Sequence, residues 1–299
     1  MTNYRIFNVT VDSDITLPEL PESGQACSIK VRQTACIDHA NVSWLHDWRD
    51  QEDEVEISLG KAGQDFVLNF PELADFRIAG NLVEYAPQKD LPDNTLRHLL
   101  LDQVLPRLIG HQGHLVLHAS GVVLSKEGAV LFVGESGIGK STLASAFEKS
   151  GATQLADDCV LVDLRENVTL NASYPGLRLY PDSLEATNQA QGQLVNHYSE
   201  KRRSTSEGEI EQAPLGTIFL LSQSEEINVA PSRSADDLAK LINQCFLLDV
   251  TDLEVHRRQF RDLQALLESC REYSFPTYDG HWPNCVYPHR KSKLDIFTE

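Results

Sequence analysis

The chain has 299 residues, 41% of them hydrophobic and 23% charged, and a formal net charge of −18. That length can bury a full core and fits one large or two modest domains of a globular protein. So acidic a composition argues against nucleic acid or an anionic membrane as the main partner, because each needs a basic surface.

Residues 4–90 read as β-rich. Tyr4–Val11 mixes β-branched and aromatic residues, and Ser28–Arg32 and Glu54–Leu59 alternate more cleanly. Phe66–Phe70 and Leu82–Tyr85 add two more strands, with turn residues such as Pro18, Gly24, Gly60 and Gly80 between them. No chemistry attaches to this part, which reads as a β-rich accessory domain over residues 1–92. Pro92-Asp93-Asn94 then opens a helix to about Leu108, with Leu96, Leu99, Leu100, Val104 and Leu105 in an apolar stripe. Residues 93–299 form the second domain.

There, Leu115–Leu124 reads as a strand turned back by Lys126-Glu127-Gly128 into Ala129–Val133. Next comes Gly134-Glu135-Ser136-Gly137-Ile138-Gly139-Lys140-Ser141, followed by the helix former Thr142–Phe147. This is strand, glycine loop, helix, and the loop fits G-x-x-x-x-G-K-[ST] at every fixed position. Such a loop turns backbone N–H groups and the positive end of a helix toward phosphate oxygens. Lys140 would reach the β- and γ-phosphates, and Ser141 would ligate Mg²⁺. Residues 134–142 are the predicted nucleotide-binding set, and the absence of N-K-x-D favours ATP over GTP.

Thr153–Asp163 reads as a single strand with Asp157 and Asp158 in its middle. Alternation predicts that one carboxylate faces the nucleotide and the other points away. One would hold Mg²⁺, and the other would accept a proton from an attacking hydroxyl. His118 is a strand histidine, by itself more often structural than catalytic. Arg178, among apolar neighbours, needs an anion, and Lys201-Arg202-Arg203 is a basic triplet in a polar loop spanning 186–212. Leu215–Leu221 reads as a buried strand, Ser234 caps a helix to about Leu248, and Thr251-x-x-Glu254 is a capping box opening a helix to about Arg271. The stretch from Ser274, with Pro276, Pro283 and Pro288, reads as irregular. Cys27, Cys36, Cys159, Cys245, Cys270 and Cys285 form no C-x-x-C pair, and scattered thiols read as reduced residues of a cytoplasmic protein. Neither a signal peptide nor a transmembrane helix is expected.

Residues 112–222 resemble the kinase domain of the HPr kinase/phosphorylase family, whose α/β P-loop fold is shared with phosphoenolpyruvate carboxykinases. The resemblance rests on His118-Ala119-Ser120-Gly121, on Gly134–Ser141, on Ala156-Asp157-Asp158, and on Gly176-Leu177-Arg178-Leu179. It implies that Gly134, Ser136, Gly137, Ile138, Gly139 and Lys140 wrap the phosphates while Ser141 meets Mg²⁺. It implies that the Asp157–Asp158 pair supplies metal contact and general base, with Asp158 as base. His118 then supports the phosphate site, and Arg178 and the Lys201–Arg203 triplet contact phosphates or developing charge. Gly176 is a departure, since the family carries glutamate there. This argues against a second metal contact and against the reverse, phosphorolytic reaction. The opening Asp12–Leu20 looks like a divergent branch found beside peptide-modification genes. The reading is therefore an ATP- and Mg²⁺-dependent kinase of a serine on a peptide or small protein. The alternatives are a non-catalytic ATP-sensing regulator and a kinase of a small metabolite such as free serine. Hexamers of the wider family do not transfer to this altered N-terminus, so the oligomeric state stays open.

Overall fold

The computed structural model describes residues 2–50, 52–124, 128–174, 176–187, 192, 194–196, 200–203, 210–223, 230–231, 235–269 and 271–277. The expected turn at Lys126-Glu127, the cap Ser234, Pro283, Pro288, Cys270, Cys285 and much of the polar loop lie outside them. The chain is a mixed α/β protein of two units. One comprises residues 1–116, 195–199 and 246–258, and the other comprises 117–194, 200–245 and 259–299. The division thus falls later than residue 92, and the first unit takes back a late segment of the chain.

The first unit is built on one eight-stranded sheet. Its strands are β1 (Thr2–Ile6), β2 (Val9–Ser13), β3 (Ile29–Gln33), β4 (Ser43–Arg49), β5 (Val55–Ala62), β6 (Asp65–Phe70), β7 (Ala74–Ala79) and β8 (Leu82–Pro87), in the order β1-β2-β3-β8-β7-β6-β5-β4. Tyr4–Val11 is not one strand but a hairpin, turned at Phe7 with φ +52°. β7 has strict alternation, with Ala74, Phe76 and Ile78 buried and the residues between them less so.

The expected helix from Asp93 is interrupted. It runs as α1 (Asp93–Leu99), a π-helical turn (Leu100–Val104) and α2 (Leu105–His111). Pro106 is the cause: it has no N–H to give to the carbonyl four residues back, and its ring crowds that turn.

β9 (Leu115–Leu117) carries the chain across the division of the two units. The second unit then comprises β10 (Ala119–Leu124), β11 (Gly128–Val133), α3 (Lys140–Lys149), β12 (Thr153–Ala156), β13 (Val160–Asp163), β14 (Thr169–Ala172), β15 (Arg178–Leu179), α4 (Pro181–Ala186), β16 (Arg202–Arg203), β17 (Gln212–Gln223), β18 (Ala230–Pro231), α5 (Ala235–Asn243), the part of α6 (Leu253–Ser269) that follows Arg258, and β19 (Arg271–Thr277). β17 is shared between two ladders. Its start pairs antiparallel with β14, and its later residues run parallel to β11 on one side and β19 on the other. Ile218 to Leu221 are buried in succession, as expected for a strand covered on both faces. Phe132 of β11 stacks on Phe219 of β17, with ring centroids 5.9 Å apart. Leu143 and Ala144 of α3 join the same core as Leu177, Leu179 and Leu184. That packing fixes α3 and the segment around Arg178 against one sheet.

Two local expectations change at the end of the chain. α6 is capped by Asp252, whose Oδ1 accepts the Glu254 N–H at 2.8 Å, while the Thr251 hydroxyl donates to Asp249. Thr251 and Glu254 therefore form no capping box. The residues from Ser274 to Thr277 are not irregular but lie in β19, with Pro276 opposite Ser222. No helix among the described residues is long and apolar enough to cross a membrane.

Candidate phosphate-binding and acid-pair site

The glycine loop leaves β11 at Gly134 and enters α3 at Lys140. Gly139 takes φ +100° at the helix N-cap, where a side chain would be strained and none supplies a cap. The first N–H groups of α3 therefore have no side-chain acceptor of their own, which is the condition for anion binding at a helix start. Glu135, Ser136 and Gly137 form an exposed tip, and Ile138 folds back partly buried. Lys140 is buried, and its Nζ donates to the Gly134 and Glu135 carbonyls at 2.9 Å each. Burial pushes the Lys140 ammonium down to about 8, against the opposing pull of Asp158 and Asp157. Thr142 turns away from the loop and bonds Ser183 of α4 at 3.0 Å.

The acid pair departs from the sequence expectation. β12 ends at Ala156 and β13 starts at Val160, so Asp157 and Asp158 lie in a break rather than within a strand. Asp158 has φ +60°, a left-handed conformation that a short polar side chain tolerates better than most. Alternation no longer applies, and the two carboxylates serve one cluster. Asp157 Oδ1 accepts from Ser120 Oγ and, at 2.9 Å, from Ser141 Oγ. Its Oδ2 accepts the Arg178 backbone N–H at 2.8 Å. Asp158 Oδ2 accepts from Arg178 Nη1 at 2.9 Å, and its Oδ1 lies 3.6 Å from His118 Nε2.

The neighbouring carboxylates titrate apart. Burial, and then the charge of Asp158, raise Asp157 to about 6. Burial also acts to raise Asp158, but Lys201, His118 and Arg178 together outweigh it and hold this carboxyl well below its usual range. His118 is driven down by burial and then by Lys140, which favours the neutral imidazole. Lys201 is raised, chiefly by Asp158.

The cationic side is built on aromatic rings. Arg178 is buried with its guanidinium 4.8 Å from the Tyr174 ring centroid, and Arg203 approaches the same ring at 5.7 Å. β15 pairs with β16, setting Arg178 opposite Arg203. Lys201 lies over Tyr180 at 5.4 Å. Gly176 has φ +104°, and its N–H donates to Gln154 Oε1 at 3.2 Å. A glutamate at this position would be strained in that backbone.

The structure thus brings Lys140, Ser141, Asp157, Asp158, His118, Arg178 and Lys201 together. Thr142 stands apart from them, engaged with Ser183. Sequence reasoning gave no role to Ser120, Tyr174 or Tyr180. The available signals were a hydroxyl inside an apolar strand and two tyrosines close to a buried arginine.

Mg²⁺ fits this donor set. It takes one or two protein oxygens and completes its octahedron with water and phosphates. Ser141 and Asp157 offer a hydroxyl and a carboxylate beside the phosphate loop. Among the described residues no group of three or more His, Cys, Asp or Glu side chains gathers into a metal cage. A Mg²⁺ that enters with a nucleotide needs none.

No family model matches this chain, and no curated protein does. Among solved structures it is similar to the Hpr(Ser) kinase/phosphatase from Coxiella burnetii, with a TM-score of 0.31 and 14% identity, over 61% of this chain and 86% of that one. That is a distant structural relation.

Proposed function

We propose that the protein is an ATP- and Mg²⁺-dependent kinase that transfers the γ-phosphoryl group to a serine hydroxyl of a peptide or small protein. The observation that carries this reading is the Ser141–Asp157 hydrogen bond, which joins the glycine loop to an acid pair whose second member is ion-paired with Arg178. A loop that only held a nucleotide would not need a buried and a half-buried carboxylate beside it, since enclosed charges are costly unless used or paired. The choice of a serine on a peptide rests on the resemblance of residues 112–222.

In this reading the loop amides and Lys140 take the phosphates, and Lys140 exchanges its two carbonyl partners for phosphate oxygens. Ser141 and Asp157 would hold Mg²⁺, with Asp157 acting through Ser141 or a bound water. When bound, the cation neutralises charge on the β- and γ-oxygens. The acceptor oxygen attacks phosphorus in line, the bond to ADP breaks, and the hydroxyl proton passes to Asp158. Arg178 and Lys201 move from the Asp158 carboxylate toward the equatorial oxygens, which frees Asp158 to orient the hydroxyl. Their departure also removes two of the charges that hold the Asp158 carboxyl down, which makes it a better proton acceptor at that moment. His118, held neutral, lines the same carboxylate.

The test is incubation with γ-labelled ATP and a cell extract, using the wild type and Asp158→Asn. Label should appear on a peptide or protein, and Asp158→Asn should lower transfer by about 10²–10⁴-fold while binding ATP within a few-fold of the wild type. Label on a small molecule would move the acceptor to a metabolite. Tight ATP binding without transfer would make the protein a regulator. Near-full transfer by Asp158→Asn would remove Asp158 from the base role.

A further inference from the structure

Ser120 sits in β10 with no exposed surface, and its hydroxyl donates to Asp157 Oδ1. β10 pairs with β12, bringing Gly121 opposite Ala156, so the strand that holds Ser120 lies beside the residue preceding Asp157. Packing does not explain the hydroxyl. Ala119 on one side is also fully buried, and an alanine at position 120 would fill nearly the same space without a polar atom to satisfy. The bond has a specific consequence. Asp157 Oδ1 takes two hydroxyl donors, Ser120 from within the sheet and Ser141 from the first turn of α3, while Oδ2 is fixed by the Arg178 N–H. The carboxylate is held from three directions, by β10, α3 and the start of β15.

We propose that Ser120 is a positioning residue for the divalent cation: it locks Asp157 Oδ1 onto the Ser141 hydroxyl, so that the Ser141 proton is committed to Asp157 and its oxygen lone pairs are kept for the metal. This rests on the kinase reading, and it adds a residue to the metal site that touches neither metal nor substrate. Without Ser120, Asp157 keeps Ser141 on Oδ1 and the Arg178 N–H on Oδ2 but loses its tie to β10, so it is held from two directions instead of three. The acceptor that Ser141 faces is then less firmly fixed. Residues that orient a ligand in this way typically contribute 10–100-fold to metal affinity.

The experiment measures Mn²⁺ binding to the protein–ADP complex by electron paramagnetic resonance, and nucleotide affinity with Mg²⁺ and in EDTA. Ser120→Ala should weaken Mn²⁺ binding about tenfold or more. Its nucleotide affinity in EDTA and its melting temperature should stay close to wild type, which a general loss of packing would not allow. Ser120→Cys fills the volume with a weak donor and should shift Mn²⁺ affinity in the same direction. It also supplies the measurement if the alanine variant does not fold. Unchanged Mn²⁺ affinity in a folded variant overturns the proposal while leaving the kinase reading intact. A wild type that binds nucleotide under neither condition overturns the kinase reading, and the proposal with it.

Discussion

Lys140 is an ammonium enclosed by protein, with two backbone carbonyls as its acceptors and two carboxylates nearby. In the proposed function phosphate oxygens replace those carbonyls, which requires Lys140 to be charged when nucleotide binds. With its pKa pushed down to about 8 by burial, the charged fraction falls as pH rises through that value. On the acid side, Asp157 is raised to about 6 by burial and by Asp158. Below that value the pair gains a proton, and Ser141 loses its ionised acceptor. The kcat/KM for MgATP should therefore describe a bell, rising near pH 6 and falling near pH 8. The acid limb belongs to the coupled pair rather than to one residue. Lys140→Arg should carry the alkaline fall out of the measurable range, because guanidinium stays charged. An alkaline limb that stays in place in that variant would assign it to another group. The sequence made Lys140 and Ser141 legible because their spacing is a fixed motif. Ser120 was not legible, because its role depends on a strand pairing that puts it beside a residue 37 positions away.

At the scale of elements, the sequence was readable wherever local pattern and tertiary environment agree. β11, α3 and β17 follow from an apolar run, a glycine loop and a buried strand. It misled where one residue overrides the pattern. Pro106 interrupts an otherwise regular apolar stripe. Asp157-Asp158 split a segment whose flanks, Leu155-Ala156 and Val160-Leu161, are all buried and strand-like. The break has an energetic signature. Asp158 holds φ +60°, which costs an L residue with a Cβ roughly 1–2 kcal/mol. Asp158→Gly and Asp158→Ala both remove the carboxylate and leave Arg178 without it. They differ only in the Cβ. The glycine variant should be the more stable of the two, by about 1 kcal/mol in urea unfolding. Equal stabilities would mean that this segment relaxes out of the left-handed region once the carboxylate is gone.

On the scale of the whole molecule, the first unit is closed by a segment that returns from residues 246–258. No local pattern announces this, since the contact joins β5 to a turn far along the chain. Lys61 Nζ meets Asp249 Oδ2 at 2.5 Å, and the Thr251 hydroxyl and N–H bond the other carboxylate oxygen at 2.7 and 3.0 Å. The Phe246 N–H reaches the Val116 carbonyl, and Arg258 reaches the Gly110 carbonyl. Burial alone would raise Asp249, but Lys61 and Thr251 outweigh it and bring the carboxyl down to about 2 from an ordinary value of 3.8. A carboxyl depressed in the folded state stabilises it above the unfolded pKa, and that contribution fades as pH falls from about 4 toward 2. The shift corresponds to roughly 2 kcal/mol, and screening around the partly exposed Lys61 trims this toward 1. Lys61→Met leaves the buried carboxylate its Thr251 donors but no counter-charge, so it should lower stability at pH 7 by about 1–2 kcal/mol. The variant should also lose part of the acid dependence, so that the two unfolding curves converge as pH approaches 2. Urea unfolding at pH 7, 4 and 2.5 gives the comparison. A constant difference across that range would mean that Lys61 acts through its packing over Phe66 rather than through the ion pair.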